Sequence, residues 1–177
     1  SIRKDGLEIA QAYYEPQPKN TAPAIALVCY DLMQKGQGDE VLGVFPSDHW
    51  IEREAAFKAA LELAQECALD GEIVTIGIKP TYPATGFGYI SREASAYKTT
   101  GKLTAHKVLG FKEKPDLATA QDYLSDSTYC WNSGMFVFQV KTMVEAFKKH
   151  MPGLWEGMQN LNEDLSNLSE VYQGLDS

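Results

Sequence analysis

The chain has 177 residues and a net charge of -8, with 24 acidic side chains against 16 basic ones. That length buries a real core, as one domain or part of one, and with no basic run or stripe the charge balance argues against nucleic-acid binding. The three cysteines, Cys29, Cys67 and Cys130, lie far apart in apolar contexts without metal-ligand spacing, so they read as small core residues of a reducing, cytoplasmic protein.

No segment is long or apolar enough to span a bilayer, and the first residues do not read as a signal peptide. No membrane partner is expected, and the sequon at Asn167-Leu168-Ser169 reads as chance. Ser1 to Asp5 is polar, and Leu7 to Ala12 suggests a short helix. Nucleotide-binding α/β domains commonly open on a strand and a Gly-rich turn, but the chain holds neither a GxGxxG nor a Walker-type loop.

Pro16 and Pro18 hold Glu15 to Lys19 extended. Asn20 or Thr21 then caps a helix whose first turn accepts Pro23. From Ala22 to Met33 that helix is apolar nearly all round and should be buried. Its N-terminus offers either a plain cap or, with the Asn and Thr side chains, a contact for a base edge or an anion.

Val41 to Phe45 is an apolar run that stops at Pro46. Ser47, Asp48 and His49 follow, and then an amphipathic pattern with Phe57, Ala60, Leu61, Ala64 and Cys67 on one face. This spells a buried strand, a polar turn and a covering helix. Ligands of open α/β sheets sit at the carboxyl ends of strands. Asp48 is there, either as a carboxylate for a divalent metal escorting a phosphate or, with Ser47, as a cap for the helix.

Ile73 to Ile78 reads as a central strand, followed by the loop Lys79 to Gly88 with its two prolines and two glycines. Gly88 either admits a ligand close to the main chain or serves a turn. Tyr89 and Ile90 begin a strand, and Ser91 to Ala105 reads as an exposed hairpin. Lys107 to Pro115 is a strand stopped by proline, leaving Glu113 and Lys114 at its end, on opposite faces if extended. They read as a solvated pair or as partners for sugar hydroxyls and a phosphate. Asp116 caps a helix with Leu117, Ala120, Tyr123 and Leu124 inward. Asn132-Ser133-Gly134 reads as a turn whose amide suits either the turn itself or vicinal hydroxyls. Met135 to Val140 is a buried strand. Lys141 to His150 is an amphipathic helix, Pro152 opens another, and Asn160 to Ser177 is a polar tail.

These stretches, in this order, resemble the nucleotidyltransferase domain of mannose-1-phosphate guanylyltransferases, including the bifunctional type fused to a mannose-6-phosphate isomerase module. The resemblance rests on Glu15-Pro16 with Lys19 to Ala24, Pro46 to His49, Pro80-Thr81 with Thr85 to Ile90, and Phe111 to Pro115 with Trp131 to Phe136. It covers about residues 15–153. It implies an α/β fold, a Rossmann-like mixed, mostly parallel sheet with helices on both faces, here incomplete at both ends. The chain is expected to be one partial nucleotidyltransferase domain over residues 1–177.

The resemblance implies that GTP and mannose 1-phosphate give GDP-mannose and pyrophosphate, with Mg²⁺ as cofactor. Asn20, Thr21 and Ser47 would serve the nucleotide, and Asp48 the metal. Phe87, Gly88, Glu113 and Asn132 would serve the sugar, and Lys114 its phosphate. Lys19, Lys79 and Lys114 are the cations expected around the site. The family's Gly-rich loop belongs N-terminal to this chain, and a second metal-binding Asp belongs beyond residue 177. The 177 residues alone are therefore expected not to turn over, and an open apolar strand edge leaves room for a homo-oligomer. Two other readings stand beside this one: a uridylyl- or thymidylyltransferase of the same fold, and a non-catalytic sugar-nucleotide-binding remnant.

Overall fold

The structure, a computed structural model, describes residues 11–175. The helix expected from Leu7 lies outside these up to Ala10, as does the polar start Ser1 to Asp5; Gln11 and Ala12 are not helical. The chain divides into two compact units, residues 39–142 and residues 1–38 with 143–177.

The unit of residues 39–142 carries a five-stranded sheet. Its elements are β1 (Val41–Val44), α2 (Glu54–Leu69), β2 (Val74–Ile78), β3 (Tyr89–Arg92), a separate hairpin β4 (Lys98–Thr100) and β5 (Leu103–Ala105), β6 (Val108–Lys112), α3 (Leu117–Ser125) and β7 (Tyr129–Gln139); α1 (Thr21–Gln34) precedes them in the other unit. The axis is β7. Its Val137 pairs with Gly43 of β1 and Val74 of β2, and its Trp131 with Ile78 of β2 and Tyr89 of β3. A strand has two edges, so β2 holds one and β1 and β3 share the other; β6 extends the sheet beyond β3.

Every pairing among the described residues is antiparallel, which corrects the expectation of a mostly parallel sheet. β1 and β2 do run in the same direction, but β7 is inserted between them. Nor is β2 central among the described residues: there it pairs with β7 alone, and Ile73 and Ile78 stay exposed.

Strand alternation sends side chains to both faces of this sheet. On one, α2 packs Ala64 and Ala68 against Val137, with Val41, Leu61, Val74 and Ile76 beside them. On the other, Ala120 of α3 meets Tyr89, Trp131 and Ala84. The Asp116 carboxylate caps α3, accepting from the Thr119 N–H at 2.8 Å, as its position suggested. Backbone and side-chain hydrogen bonds from Thr119 hold that carboxyl below the usual carboxylate range. Leu117 and Leu124, expected inward, are exposed, because so short a helix covers the sheet through Ala120 and the half-buried Tyr123 alone. The polar stretch after β3 is the β4–β5 hairpin, tied down by Lys98–Asp70 and Lys107–Glu72 ion pairs.

The Asn132-Ser133-Gly134 stretch is not a turn between strands. It is a bulge inside the continuous β7. Between Thr75↔Phe136 and Gly77↔Asn132 the chain advances two residues in β2 and four in β7. The polar side chains that mimic a turn satisfy the extra backbone: Asn132 Oδ1 accepts from the Gly134 N–H at 3.0 Å, and Ser133 Oγ donates to the Ile76 carbonyl at 2.6 Å and accepts from the Met135 N–H at 3.2 Å. Gly134 sits at φ +70°, a region that a Cβ disfavours.

The other unit holds α1, the last part of α4 (Val140–His150), α5 (Pro152–Gln159) and α6 (Leu168–Gly174). Its buried side chains include Leu27, Tyr30, Phe147, Trp155, Met158 and Tyr172. Trp155 stacks on Phe147 and meets Tyr30 edge-on. The tail read as polar thus carries a core residue, Tyr172, and Leu175 is buried beyond it. The Glu15 to Lys19 segment, expected extended, bends at Pro16 and Gln17 and lies on α6: Gln17 Nε2 donates to the Tyr172 carbonyl, Lys19 Nζ to the Leu175 carbonyl, and Tyr172 Oη to Glu15.

Replacing Gly134 by Ala puts a Cβ on a left-handed residue, which costs about 1–2 kcal/mol. The added atom itself meets only Pro46 Cγ at 3.5 Å, an ordinary contact. Urea unfolding of Gly134→Ala should show a loss of that size; an unchanged midpoint would mean that the bulge relaxes without cost.

Candidate active site

The bulge faces a gap in the sheet. On the β7 edge shared by β1 and β3, the last β1 pair is Val44↔Phe136 and the first β3 pair is Tyr89↔Trp131. Asn132 to Met135 lie between. The chain leaving β1 and the chain entering β3 both come to this gap. Pro46 packs near Gly134, with 3.5 Å between Pro46 Cγ and the place of a Gly134 Cβ. The Gly88 carbonyl accepts from the Asn132 N–H at 2.8 Å.

The loop after β1 carries Ser47 and Asp48, both exposed. Neither caps α2, whose N-cap is Arg53, so the capping reading of this loop is excluded. Five residues separate Asp48 from the first helical residue, and Trp50 stands almost fully in solvent. Asp48 makes no ion pair among the described residues.

The loop before β3 is organised by aromatics. Tyr82, Phe87 and Trp131 meet pairwise edge-to-face, with centroids 5.0 Å apart for Tyr82–Trp131, 5.2 Å for Phe87–Trp131 and 6.3 Å for Tyr82–Phe87. The Tyr89 hydroxyl donates to the Ala84 carbonyl at 3.0 Å and closes the loop from within. Phe87 is half-exposed beside Gly88. Tyr82 was not singled out in the sequence, and Trp131 entered only as part of the stretch Trp131 to Phe136 that carries the resemblance, with no role at the site; the signal for that role was aromatic residues in the proline-rich loop and beside Asn132.

β6 brings Glu113 to the same place. Its ladder with β3 ends at Tyr89↔Lys112, so the next step sets Glu113 opposite Gly88. Lys114 is not extended. Its φ is +41°, a left-handed backbone that non-glycine residues rarely adopt and that concentrates at functional positions. Glu113 and Lys114 therefore do not take the simple opposite-face geometry of a strand end. Asn132 presents its amide from β7, with Oδ1 engaged by Gly134 N–H and, at 3.4 Å, by Thr75 Oγ1. Its Nδ2 makes no hydrogen bond among the described residues.

Ser47, Asp48, Phe87, Gly88, Glu113 and Asn132 are thus carried by segments that all meet at the middle of β7, with Lys114 next in the chain. Asn20 and Thr21 belong to the other unit. Asn20 is the N-cap residue of α1 with φ -64° and ψ 172°, yet its side chain makes no capping bond. Of the three expected cations, Lys19 is engaged on the Leu175 carbonyl, and Lys79 lies at the wall of a cavity of about 740 Å³ between α2, β2 and the β4–β5 hairpin. That cavity is lined mainly by apolar side chains such as Leu63, Val74, Ile76 and Leu103, and by none of the candidate site residues.

An exposed carboxylate, a second carboxylate, an amide, a lysine and an aromatic wall together can hold a hydroxylated, phosphorylated ligand. Among the described residues no group of three or more His, Cys, Asp or Glu is placed to hold a metal on its own. Asp48 alone still fits the usual mode of Mg²⁺, which takes one or two carboxylates and completes its shell with substrate phosphates and water. No helix of the described residues is long and apolar enough to cross a membrane.

Comparison with known proteins gives concordant relatives. The chain is 45% identical over 163 residues to the xanthan biosynthesis protein XanB of Xanthomonas campestris pv. campestris (strain B100), covering 88% of this chain and 33% of that protein. It is 40% identical over 159 residues to the mannose-1-phosphate guanylyltransferase RfbM of Salmonella typhimurium (strain LT2), covering 85% and 32%. A crystal structure described as a mannose-1-phosphate geranyltransferase from Thermus thermophilus superposes with a TM-score of 0.78 at 35% identity, covering 92% of this chain and 46% of that one. The chain therefore spans about a third of the length of these curated relatives. The family model described as Nucleotidyl transferase matches residues 3–174, and the chain belongs to that family.

Proposed function

We propose that this chain forms part of an enzyme that makes GDP-mannose and pyrophosphate from GTP and mannose 1-phosphate. The observation that carries the reading is that Gly88 and Glu113 meet beside Asn132 at the β7 bulge, with the segment leaving β1 toward Asp48 brought to the same gap through Pro46. The relatives' names supply the substrates, since one of them is called a mannose-1-phosphate guanylyltransferase.

In this reading a phosphate oxygen of mannose 1-phosphate attacks the α-phosphorus of GTP in line. One P–O bond forms, the bond to the β-phosphate bridge breaks, and pyrophosphate leaves with its electron pair. No covalent enzyme intermediate is required, so the work of the protein is positioning and charge neutralisation. Glu113 accepts hydrogen bonds from sugar hydroxyls, Asn132 orients them through its free amide nitrogen, and Phe87 walls the ring. Lys114 meets the sugar phosphate. Asn20, Thr21 and Ser47 serve the nucleotide. Asp48 would hold Mg²⁺, which when bound supplies neutralisation of the phosphate charge.

Asp48→Asn in the full-length protein should abolish most turnover while leaving the unfolding midpoint unchanged, because the side chain is exposed and caps nothing. Retention of the parental rate and Mg²⁺ dependence would remove Asp48 from the metal. Glu113→Gln should weaken mannose 1-phosphate roughly ten- to a hundredfold with GTP affinity little changed, since a hydrogen bond to a charged group is lost. Calorimetric titration of each substrate checks this, and equal losses for both would take Glu113 out of the sugar site.

A further inference from the structure

We infer that Gly88 is a positioning residue whose missing side chain makes the seat for the Glu113 carboxylate, so that it acts on the sugar phosphate through Glu113. The inference rests on the proposed function for its ligand, but its geometry stands apart from it.

A Cβ built on Gly88 would lie 2.8 Å from one Glu113 carboxylate oxygen, 3.2 Å from the other and 3.3 Å from Cδ. The carboxylate thus rests on the bare Cα. The register makes this contact: Gly88 and Glu113 are the pair directly after Tyr89↔Lys112. Backbone conformation does not demand a glycine here, because Gly88 is not among the residues with positive φ. Space does.

The Gly88 main chain has no room to retreat from an added methyl group. Its carbonyl is held by the Asn132 N–H at 2.8 Å, and the next residue, Tyr89, is fully buried, pairs with Trp131 and Lys112 and anchors its hydroxyl on Ala84. Glu113 is exposed, lies past the end of the ladder and is free to rotate. The side chain therefore yields. An alanine at position 88 is inexpensive for the fold and displaces the carboxylate from the site. Gly88 in this account is not chiefly a main-chain surface for the ligand; it sets where the acceptor of the sugar hydroxyls stands.

The test compares Gly88→Ala, Glu113→Ala and the double variant in the full-length protein. A crystal structure of Gly88→Ala should show the Glu113 carboxylate moved off Gly88 with the Tyr89 pairings intact, and the unfolding midpoint should match the parent. KM for mannose 1-phosphate should rise about tenfold or more in each single variant, with KM for GTP unchanged. The double variant should be no worse than Glu113→Ala. An unmoved carboxylate, or losses that multiply in the double variant, would overturn the inference. A displaced carboxylate at unchanged stability, with Glu113→Ala leaving the sugar phosphate unaffected, would uphold the seat and refute the proposed substrate.

Discussion

The constraint on which the 39–142 unit depends is that one strand must serve two neighbours that run the same way. β1 and β2 each need partners for their main-chain groups, and β7 supplies them on both of its edges by running against both. Once β7 is committed on both sides, β1 and β3 must share one edge, and neither is long enough to fill it. The gap between them is where backbone turns away from the ladder, and irregular backbone is where binding groups can be presented. The bulge at Ser133 and Gly134 lies opposite this gap. The Gly134 and Met135 N–H groups donate to the Asn132 and Ser133 side chains, and the Ser133 hydroxyl donates to the Ile76 carbonyl of β2, as buried main chain requires. The site is a consequence of incomplete pairing along a strand that is otherwise fully used.

Chemistry of this kind asks for little reactivity from the protein and for much geometry. None of the candidate residues needs an unusual protonation state to accept hydroxyls, hold a cation or meet a phosphate. What they need is fixed distance from one another. The three-ring contact of Tyr82, Phe87 and Trp131, with the Tyr89–Ala84 hydrogen bond beneath it, turns a ten-residue loop into a wall of defined shape. The left-handed Lys114, followed by Pro115 and the capped start of α3, fixes the other side.

Much of this was legible in the sequence. Hydrophobic period, with Pro23 and Pro152 in first turns, located α1, α2, α3, α4 and α5, and Asp116 proved to be the cap it resembled. Proline and glycine placed the loop from Lys79 to Gly88. Pairing partners were not legible, because Ile73 to Ile78 has the same β-branched composition whether it lies mid-sheet or at an edge. The direction of β7 was hidden for the same reason. Asn132-Ser133-Gly134 has turn chemistry, and the structure uses it, but to absorb extra chain within a strand. The exclusion of Ser47 and Asp48 as caps depended on where α2 begins, which Glu54 and Arg53 do not advertise. For the site, residue types and order were visible; the contact of Gly88 with Glu113 was not, since it depends on register.

The strap of Glu15 to Lys19 on α6 has a consequence for how this protein can diverge. Its alternate side chains, Gln17 and Lys19, grip main-chain carbonyls of Tyr172 and Leu175. A carbonyl is the same atom whatever residue carries it. Mutations in α6 that keep the helix therefore leave these two acceptors in place, and only Tyr172, through its hydroxyl and its burial, ties the contact to a particular side chain. The strap reads the path of the chain and not its letters, so the exposed positions of the tail are free to drift in sequence around the buried Tyr172 and Leu175 while Gln17 and Lys19 are not.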